Sequence, residues 1–352
     1  MRILFVDAVT TGHHMVYMKE LINDGRYESV VLAPDDDMIK NAGFGGNTTV
    51  VPMTGGSYGQ RLEQIRKTAD EYKVDIIHLL FADSIMKYYG FGLGRLKQYR
   101  IAATFHQFRY SFLRNIARKL LFAKVDRGVV HTESMLRYLE GNNIKNAVHI
   151  EYPKFERVEY CDKETAKKRL GIETDKPVLL ALGGTRYDKG LDILLHALNK
   201  AEQPFYLLVA GKPEAFDEAF IRSEGARFAD AMKLILRFLT DEEMALCSSA
   251  CDIAVLPYRM SFDGASGGLV DAVVAGKPVI GAGHGALGEL IRNNHLGYTF
   301  KTEDPDDLAR VIDKALSEGF LQDDTAERYR KSLDPQSFRS KYYKLYDELT
   351  EK

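Results

Sequence analysis

The chain has 352 residues, 45% of them hydrophobic, enough length and apolar content for two domains that each bury a core. Its 48 Lys and Arg against 50 Asp and Glu give a formal charge of −2, so no chain-wide basic excess points to nucleic acid, and 28% charged with 11% aromatic residues is too well mixed for a disordered chain. Three cysteines, Cys161, Cys247 and Cys251, are too few for the disulfide framework of a secreted domain and predict a reducing, cytoplasmic setting.

The opening MRILFVDAV is mostly apolar with no small-residue cleavage site behind it, so it reads as a first buried strand and not as a signal peptide. No run approaches the roughly 18 apolar residues of a membrane span. Residues 3–6, 29–32, 74–79, 101–105 and 128–132 are too uniformly apolar for a sheet with one wet face, and 17–23, 58–72 and 111–124 between them carry helical spacing. This β-α alternation predicts a parallel sheet covered on both faces. After Tyr152-Pro153 a charged stretch, 156–176, reads as a linker with one short helix. The alternation restarts with strands at 178–182, 205–210, 234–238, 253–256 and 278–281. Last, Asp334-Pro335 opens a helix with Phe338, Tyr342, Leu345 and Leu349 on one face. The predicted fold is α/β: two doubly wound, Rossmann-like domains, 1–155 and 177–330, facing a central cleft, with helix 331–352 packing back on the first. Ligands sit at strand carboxyl ends in such sheets, so a two-part ligand across that cleft is expected.

Two segments carry chemistry. The strand at 178–182 runs into Gly183-Gly184-Thr185-Arg186-Tyr187-Asp188-Lys189-Gly190 and then a helix. Glycines at such a turn let the backbone approach a phosphate, the helix start adds amides, and Arg186 and Lys189 bring two cations, which predicts a diphosphate site. The segment has neither a Walker loop nor the G-x-G-x-x-G fingerprint, and a tight turn with two solvated cations remains the alternative. The second segment is Pro257-Tyr258-Arg259 followed by Asp263-Gly264-Ala265-Ser266-Gly267-Gly268-Leu269-Val270-Asp271. Gly267 and Gly268 sit where a loop becomes a helix and offer unpaired amides to an anion. Asp263 and Asp271, eight apart, could accept from two hydroxylated parts of one ligand. Alternatively, Asp271 is only a favourable first-turn acid.

The ordered set LGGTRYDKGLDILLHAL, LLVAGK, LRFLTDEEMALCSSACDIAVLPYR and the run 263–281 resembles the nucleotide-binding half of a GT-B glycosyltransferase of family 4. That family's E-x7-E pair appears here as Asp263-x7-Asp271, each acid one methylene shorter. The resemblance implies that Asp271 holds ribose hydroxyls, that Asp263 lies near the donor sugar, and that Arg186 and Lys189 bind the diphosphate. It also implies that Gly184, Phe238, Ser266 and the Gly267-Gly268-Leu269 amides line the nucleotide site. In the first half, Thr10-Thr11-Gly12-His13-His14 stands where such enzymes carry a glycine loop near the diphosphate. Thr104-Phe105-His106 ends a strand as their active-site histidine does. Thus Gly12 is assigned to the donor, His106 to catalysis, and His13 and His14 to the acceptor side. The implied activity is retaining transfer of a hexose from a nucleotide diphosphate sugar, with UDP favoured, to a glycan or lipid-linked acceptor in bacterial surface polysaccharide assembly. No metal or other cofactor is implied. A sugar-nucleotide epimerase and a non-catalytic sugar-binding protein are the competing readings.

Other features are read as structural. Asp35-Asp36-Asp37 follows Ala33-Pro34 and lacks the other ligands a hard cation needs, so it reads as a solvated turn. Cys247 and Cys251 lack a second pair to complete a zinc site and read as packed thiols, and His78 as a packed strand-end residue. Residues 86–127 hold ten Lys and Arg against one acid, Asp126. Within them, from Arg109 to Lys124, Phe112, Ile116, Leu120 and Phe122 interleave with Arg114, Arg118 and Lys119. This predicts either a basic amphipathic helix on an anionic membrane or a core helix with a solvated basic face. A nucleic-acid partner is not expected, because no known motif accompanies the patch.

Overall fold

A computed structural model describes all residues except 12, 55, 107–110, 263–265 and 352. The chain divides into two compact units, Met1–Phe155 with Asp334–Lys352, and Glu156–Leu333.

In chain order the first unit contains β1 (Arg2–Val6), α1 (His13–Ile22), β2 (Glu28–Ala33), α2 (Asp37–Lys40), β3 (Thr48–Pro52), α3 (Tyr58–Tyr72), β4 (Ile76–Leu79), β5 (Arg100–Phe105), α4 (Phe112–Phe122), β6 (Arg127–Val130), α5 (Glu133–Gly141) and β7 (Ala147–His149). Its strands form one parallel sheet in the order β3-β2-β1-β4-β5-β6-β7. The central strands β1, β4, β5 and β6 are buried along nearly their whole length, which is why their sequences are runs of Ile, Leu, Val and Ala. The edge strands β3 and β7 are only partly buried and mix polar with apolar residues, so a search for uniformly apolar runs passes over them. Hydroxyls start the helices: Ser57 and Gln60 close a capping box on α3, and Ser111 and Thr132 cap α4 and α5. The Asp35-Asp36-Asp37 turn is a helix start, with Asp36 capping α2 and accepting from the Thr10 hydroxyl.

Helix α4 corrects the expectation drawn from its periodicity. Ala117, Arg118, Leu121 and Phe122 are buried, whereas Phe112, Leu113, Ile116 and Leu120 are exposed. Arg118 is therefore no solvated cation: its guanidinium lies 5.0 Å from the Tyr138 ring centroid and donates to the Tyr138 hydroxyl at 3.2 Å. The helix's rotation follows from β6, where Gly128 leaves the space that the Phe122 ring fills; a Cβ at Gly128 would lie 2.2 Å from that ring.

The second unit contains α6 (Lys163–Leu170), β8 (Val178–Leu182), α7 (Leu191–Leu198), β9 (Tyr206–Ala210), α8 (Glu218–Glu224), β10 (Met232–Ile235), α9 (Asp241–Ala250), β11 (Ile253–Leu256), α10 (Gly267–Val274), β12 (Val279–Ala282), α11 (Gly285–Asn293), β13 (Gly297–Phe300), α12 (Pro305–Glu318) and α13 (Asp324–Ser332). Its sheet is parallel in the order β10-β9-β8-β11-β12-β13. Strand β10 stops at Ile235, so Leu236, Arg237 and Phe238, expected to be in it, lie beyond its carboxyl end. The 156–176 stretch read as a linker is tied into this unit. Asp162 caps α6, Lys163 pairs with Asp252 at 2.9 Å, and the Cys161 amide donates to Ser249 Oγ at 3.3 Å. Cys247 and Cys251 are packed, and burial pushes both thiols up to about 12.

The chain closes with α14 (Pro335–Thr350), which buries Phe338, Tyr342, Tyr343, Leu345, Tyr346 and Leu349 in the first unit among Phe5, Tyr17 and Leu21. A buried polar chain joins it to the sheet. His78 bonds Tyr346 Oη at 2.7 Å and Thr104 Oγ1 at 2.9 Å, Thr104 bonds Tyr342 Oη at 2.9 Å, Tyr342 bonds Tyr17, and Tyr17 bonds His131 at 3.3 Å. Among the described residues no helix is long and apolar enough to cross a membrane.

Candidate functional site

Each sheet grows in one direction and then reverses beside its first strand, at β1/β4 and at β8/β11, and at such switch points the strand carboxyl ends open a crevice. In the second unit β8 ends at Leu182 and the chain turns through Gly183, Gly184 and Thr185 into one turn of 3-10 helix, Tyr187–Lys189, before α7. Gly183 has φ +110°, which glycine adopts without strain, and a Cβ there would lie 2.4 Å from Lys189 Nζ. The ammonium thus sits against the backbone at the end of β8. It also lies 5.7 Å from the ring centroid of Tyr258, two residues beyond β11. Burial, and then repulsion from Arg186, lower the Lys189 pKa, while Asp188, Asp271 and Glu214 oppose the shift.

Arg186 is held differently. It is exposed, and its guanidinium forks onto Asp188 at 3.0 and 2.7 Å, a bond that raises the Arg186 pKa and lowers that of Asp188. Arg259, which the sequence did not single out for a role, fixes this turn. Its amide donates to the Asp188 carbonyl, its Nε to the Tyr187 carbonyl at 3.0 Å, and its guanidinium pairs with Asp192 at 2.5 Å.

Helix α10 completes the crevice. Ser266 caps it by accepting from the Leu269 amide at 3.1 Å, so that amide, assigned above to the ligand, is already bonded. The Gly267 and Gly268 amides, first in the helix, have no intrahelical acceptor. A Cβ at Gly268 would stand 3.2 Å from the Tyr258 hydroxyl and 3.7 Å from the Leu182 carbonyl, so the helix start abuts both strand ends. Ser266 donates to the Tyr258 hydroxyl at 3.2 Å, and burial pushes that phenol up to about 12. Asp271 is buried one turn later, and its charge favours the Lys189 cation. The fold therefore gathers Gly183, Gly184, Lys189, Ser266, Gly267, Gly268 and Asp271. Phe238 is 81% exposed at the same carboxyl edge, beyond β10.

At the first unit's switch point the Phe81 ring is stacked between His14, at 3.5 Å, and His106, at 3.8 Å. His14 Nδ1 lies 2.9 Å from the buried Asp7 carboxylate, whose pKa burial raises against the pull of His14. His106 follows β5. Its Nε2 is 3.0 Å from the Leu80 carbonyl, which only accepts, so Nε2 carries the proton. Its amide donates to Asp83 at 2.8 Å. A cavity of about 330 Å³ shares this crevice and is lined by Asp7, Tyr58, Arg61, Phe81, Ser84 and Tyr88 among others. His78 belongs elsewhere, in the buried polar chain, where burial lowers its pKa to about 3. Gly12, Asp263 and Arg109 lie outside the described residues, as does the His13 side chain.

Two doubly wound parallel sheets, the second with a glycine turn and a half-buried cation at its switch point, make the architecture of the GT-B glycosyltransferases. Residues 162–332 match the family model described as glycosyl transferases group 1. Sucrose-phosphate synthase from Thermosynechococcus elongatus superposes with a TM-score of 0.72 at 17% identity, over 99% of this chain and 98% of that one. Anabaena HepE in complex with UDP gives 0.71 at 15% identity, over 99% and 100%. The D-inositol 3-phosphate glycosyltransferase of Nocardioides sp. is 30% identical over 182 residues, 46% of this chain and 39% of that protein. The aligned stretch thus spans about two fifths of that relative's length. The chain has the GT-B fold, and the stretch that matches the group 1 glycosyl transferase model lies in its second unit.

Proposed function

We infer that the protein is a retaining, metal-independent glycosyltransferase. It moves a hexose from a nucleotide diphosphate sugar to a glycan or lipid-linked acceptor, in bacterial surface polysaccharide or glycoconjugate synthesis. The observation that carries this reading is the meeting of Lys189, the Gly183-Gly184 backbone and the start of α10 at the switch point of the matched domain. As the anomeric C–O bond breaks, its electron pair goes to the diphosphate. Lys189, Arg186 and the Gly267 and Gly268 amides then stand where that negative charge develops, in the role a metal would otherwise fill. Asp271 would accept from the ribose and the exposed Phe238 ring would cover the base. HepE, of the same fold, is described in complex with UDP, which supports a UDP-sugar. Asp263 and His106 are assigned to the donor sugar by resemblance. The crevice of the first unit, with His14 and the 330 Å³ cavity, would take the acceptor; by resemblance His13 belongs to the acceptor side as well, and Gly12 to the donor.

Calorimetric titration with UDP, GDP and ADP tests the reading: UDP should bind, and turnover of a UDP-sugar should persist in excess EDTA. Failure of all three nucleotides to bind overturns it, and loss of turnover in EDTA, restored by magnesium, removes the metal-independent scheme. An isomeric sugar nucleotide formed from donor alone would identify an epimerase.

A further inference from the structure

The outward face of α4 is apolar. Phe112 is 80% exposed and Leu113 63%, and Ile116 and Leu120 continue the same stripe at helical spacing. Phe91, 82% exposed, extends it: the Gly90 backbone passes so close to α4 that a Cβ there would lie 3.1 Å from Leu121 Cα. Tyr88 and Tyr89, on the same loop, are partly exposed. Lys119 and Lys124 flank the stripe on its two sides by helical period, and Lys87, in the loop that carries Phe91, is exposed. From Lys87 to Lys124 the sequence has nine basic residues and no acid. An apolar stripe flanked by cations is complementary to a surface that is apolar inside and anionic at its boundary. A protein partner with its own acidic rim would have to match both features, whereas an anionic bilayer presents them by construction.

We propose that this face, Phe91 with Phe112, Leu113, Ile116 and Leu120 and the surrounding lysines, docks in the interface of an anionic lipid bilayer. The stripe enters the acyl boundary and the cations lie at the phosphates. Buried Arg118 takes no part. Tyr58, which donates to the Phe91 carbonyl at 2.9 Å and stacks on Tyr88 at 4.0 Å, lines the 330 Å³ cavity, so the docked face borders that cavity. This surface does not depend on the donor reading, and the two are measured separately below.

The experiment is sedimentation with vesicles of equimolar phosphatidylglycerol and phosphatidylcholine, and with phosphatidylcholine alone. Wild type should pellet with the anionic vesicles only. Lys87→Gln with Lys119→Gln and Lys124→Gln should lower the partition coefficient about a hundredfold at low salt. Phe91→Ser with Phe112→Ser and Leu113→Ser should abolish the binding that remains at high salt, where cations are screened. Both variants change exposed residues only, so each should keep the wild-type melting temperature and UDP affinity. Wild type remaining in the supernatant at low salt, or both variants pelleting as wild type does, overturns the proposal. So does a wild-type dimer that the serine variant converts to monomer, which would assign the stripe to a second copy. Failure of the wild type to bind UDP while it partitions as expected would instead count against the donor reading alone.

Discussion

Lys189 and Arg186 are three residues apart and carry the same charge, yet the structure gives them different work. Lys189 is largely desolvated against the Gly183 backbone and the Tyr258 ring, so it is positioned before any ligand arrives. Arg186 is exposed and already forked onto Asp188, so an incoming phosphate must compete for it. A charge-assisted bond to phosphate contributes about 1.5–3 kcal/mol. Lys189→Ala should therefore weaken UDP binding at least tenfold, and Arg186→Ala should weaken it less, as read by calorimetry. Equal losses would show that Asp188 does not compete. At His106 the Nε2 proton is committed to the Leu80 carbonyl and the ring lies flat on Phe81, which fixes its orientation without burying it in the core. His106→Ala should keep the wild-type melting temperature and lose most transfer activity; unchanged turnover would assign His106 to structure.

At the scale of elements, α14 is the piece that makes the first unit whole. Six of its side chains are buried there, each contributing about 1.5–3 kcal/mol, a total comparable to the usual net stability of a domain. The polar chain from His78 to His131 adds direction to that packing, since each hydroxyl and imidazole needs its neighbour. It also makes the unit acid-sensitive. His78 has a pKa of about 3 when folded and about 6.5 when unfolded, because burial disfavours the imidazolium. Above pH 6.5 neither state binds the proton and the full stability is present. Between pH 6.5 and 3 only the unfolded chain binds it, and stability falls by about 1.4 kcal/mol per pH unit. Urea denaturation should thus show about 2 kcal/mol lost between pH 7.5 and 5 through this residue, with a shallower slope in His78→Gln. An unchanged slope would place the sensitivity elsewhere.

For the whole molecule, the division into Met1–Phe155 with Asp334–Lys352 and a continuous Glu156–Leu333 has a consequence for folding. The second unit holds all its own strands and its own core, so residues 156–333 expressed alone should fold cooperatively and bind UDP. The first unit depends on a helix that follows the second unit in the chain, so residues 1–333 should retain the UDP site while unit 1 fails to fold. Circular dichroism and calorimetry on the two truncations check both statements. A folded unit 1 without α14 would show that the buried aromatic face is dispensable.

The sequence alone determined the parallel α/β character and the two units, and it marked the glycine turn and helix start that the fold brings together in the second. Central strands buried on both faces must be apolar throughout, and a glycine turn followed by cations at a strand end is a local pattern. What it missed lay at margins. β3, β7 and β13 are the outer strands, partly exposed and mixed in composition, and β10, the remaining edge, was shifted toward Phe238. Periodicity also gave α4 an amphipathic character without a direction. A repeat of 3.6 places residues on faces but does not say which face meets the sheet, and here Phe122 fills the space left by Gly128, which buries Arg118 on the same side and leaves Phe112 outward. The coupling of α14 to His78 and Tyr17, and the use of the Leu269 amide by Ser266, follow only from which side chains come within hydrogen-bond reach once the chain is folded. Local chemistry was legible in order along the chain; orientation and partnership were decided by packing between segments far apart in it.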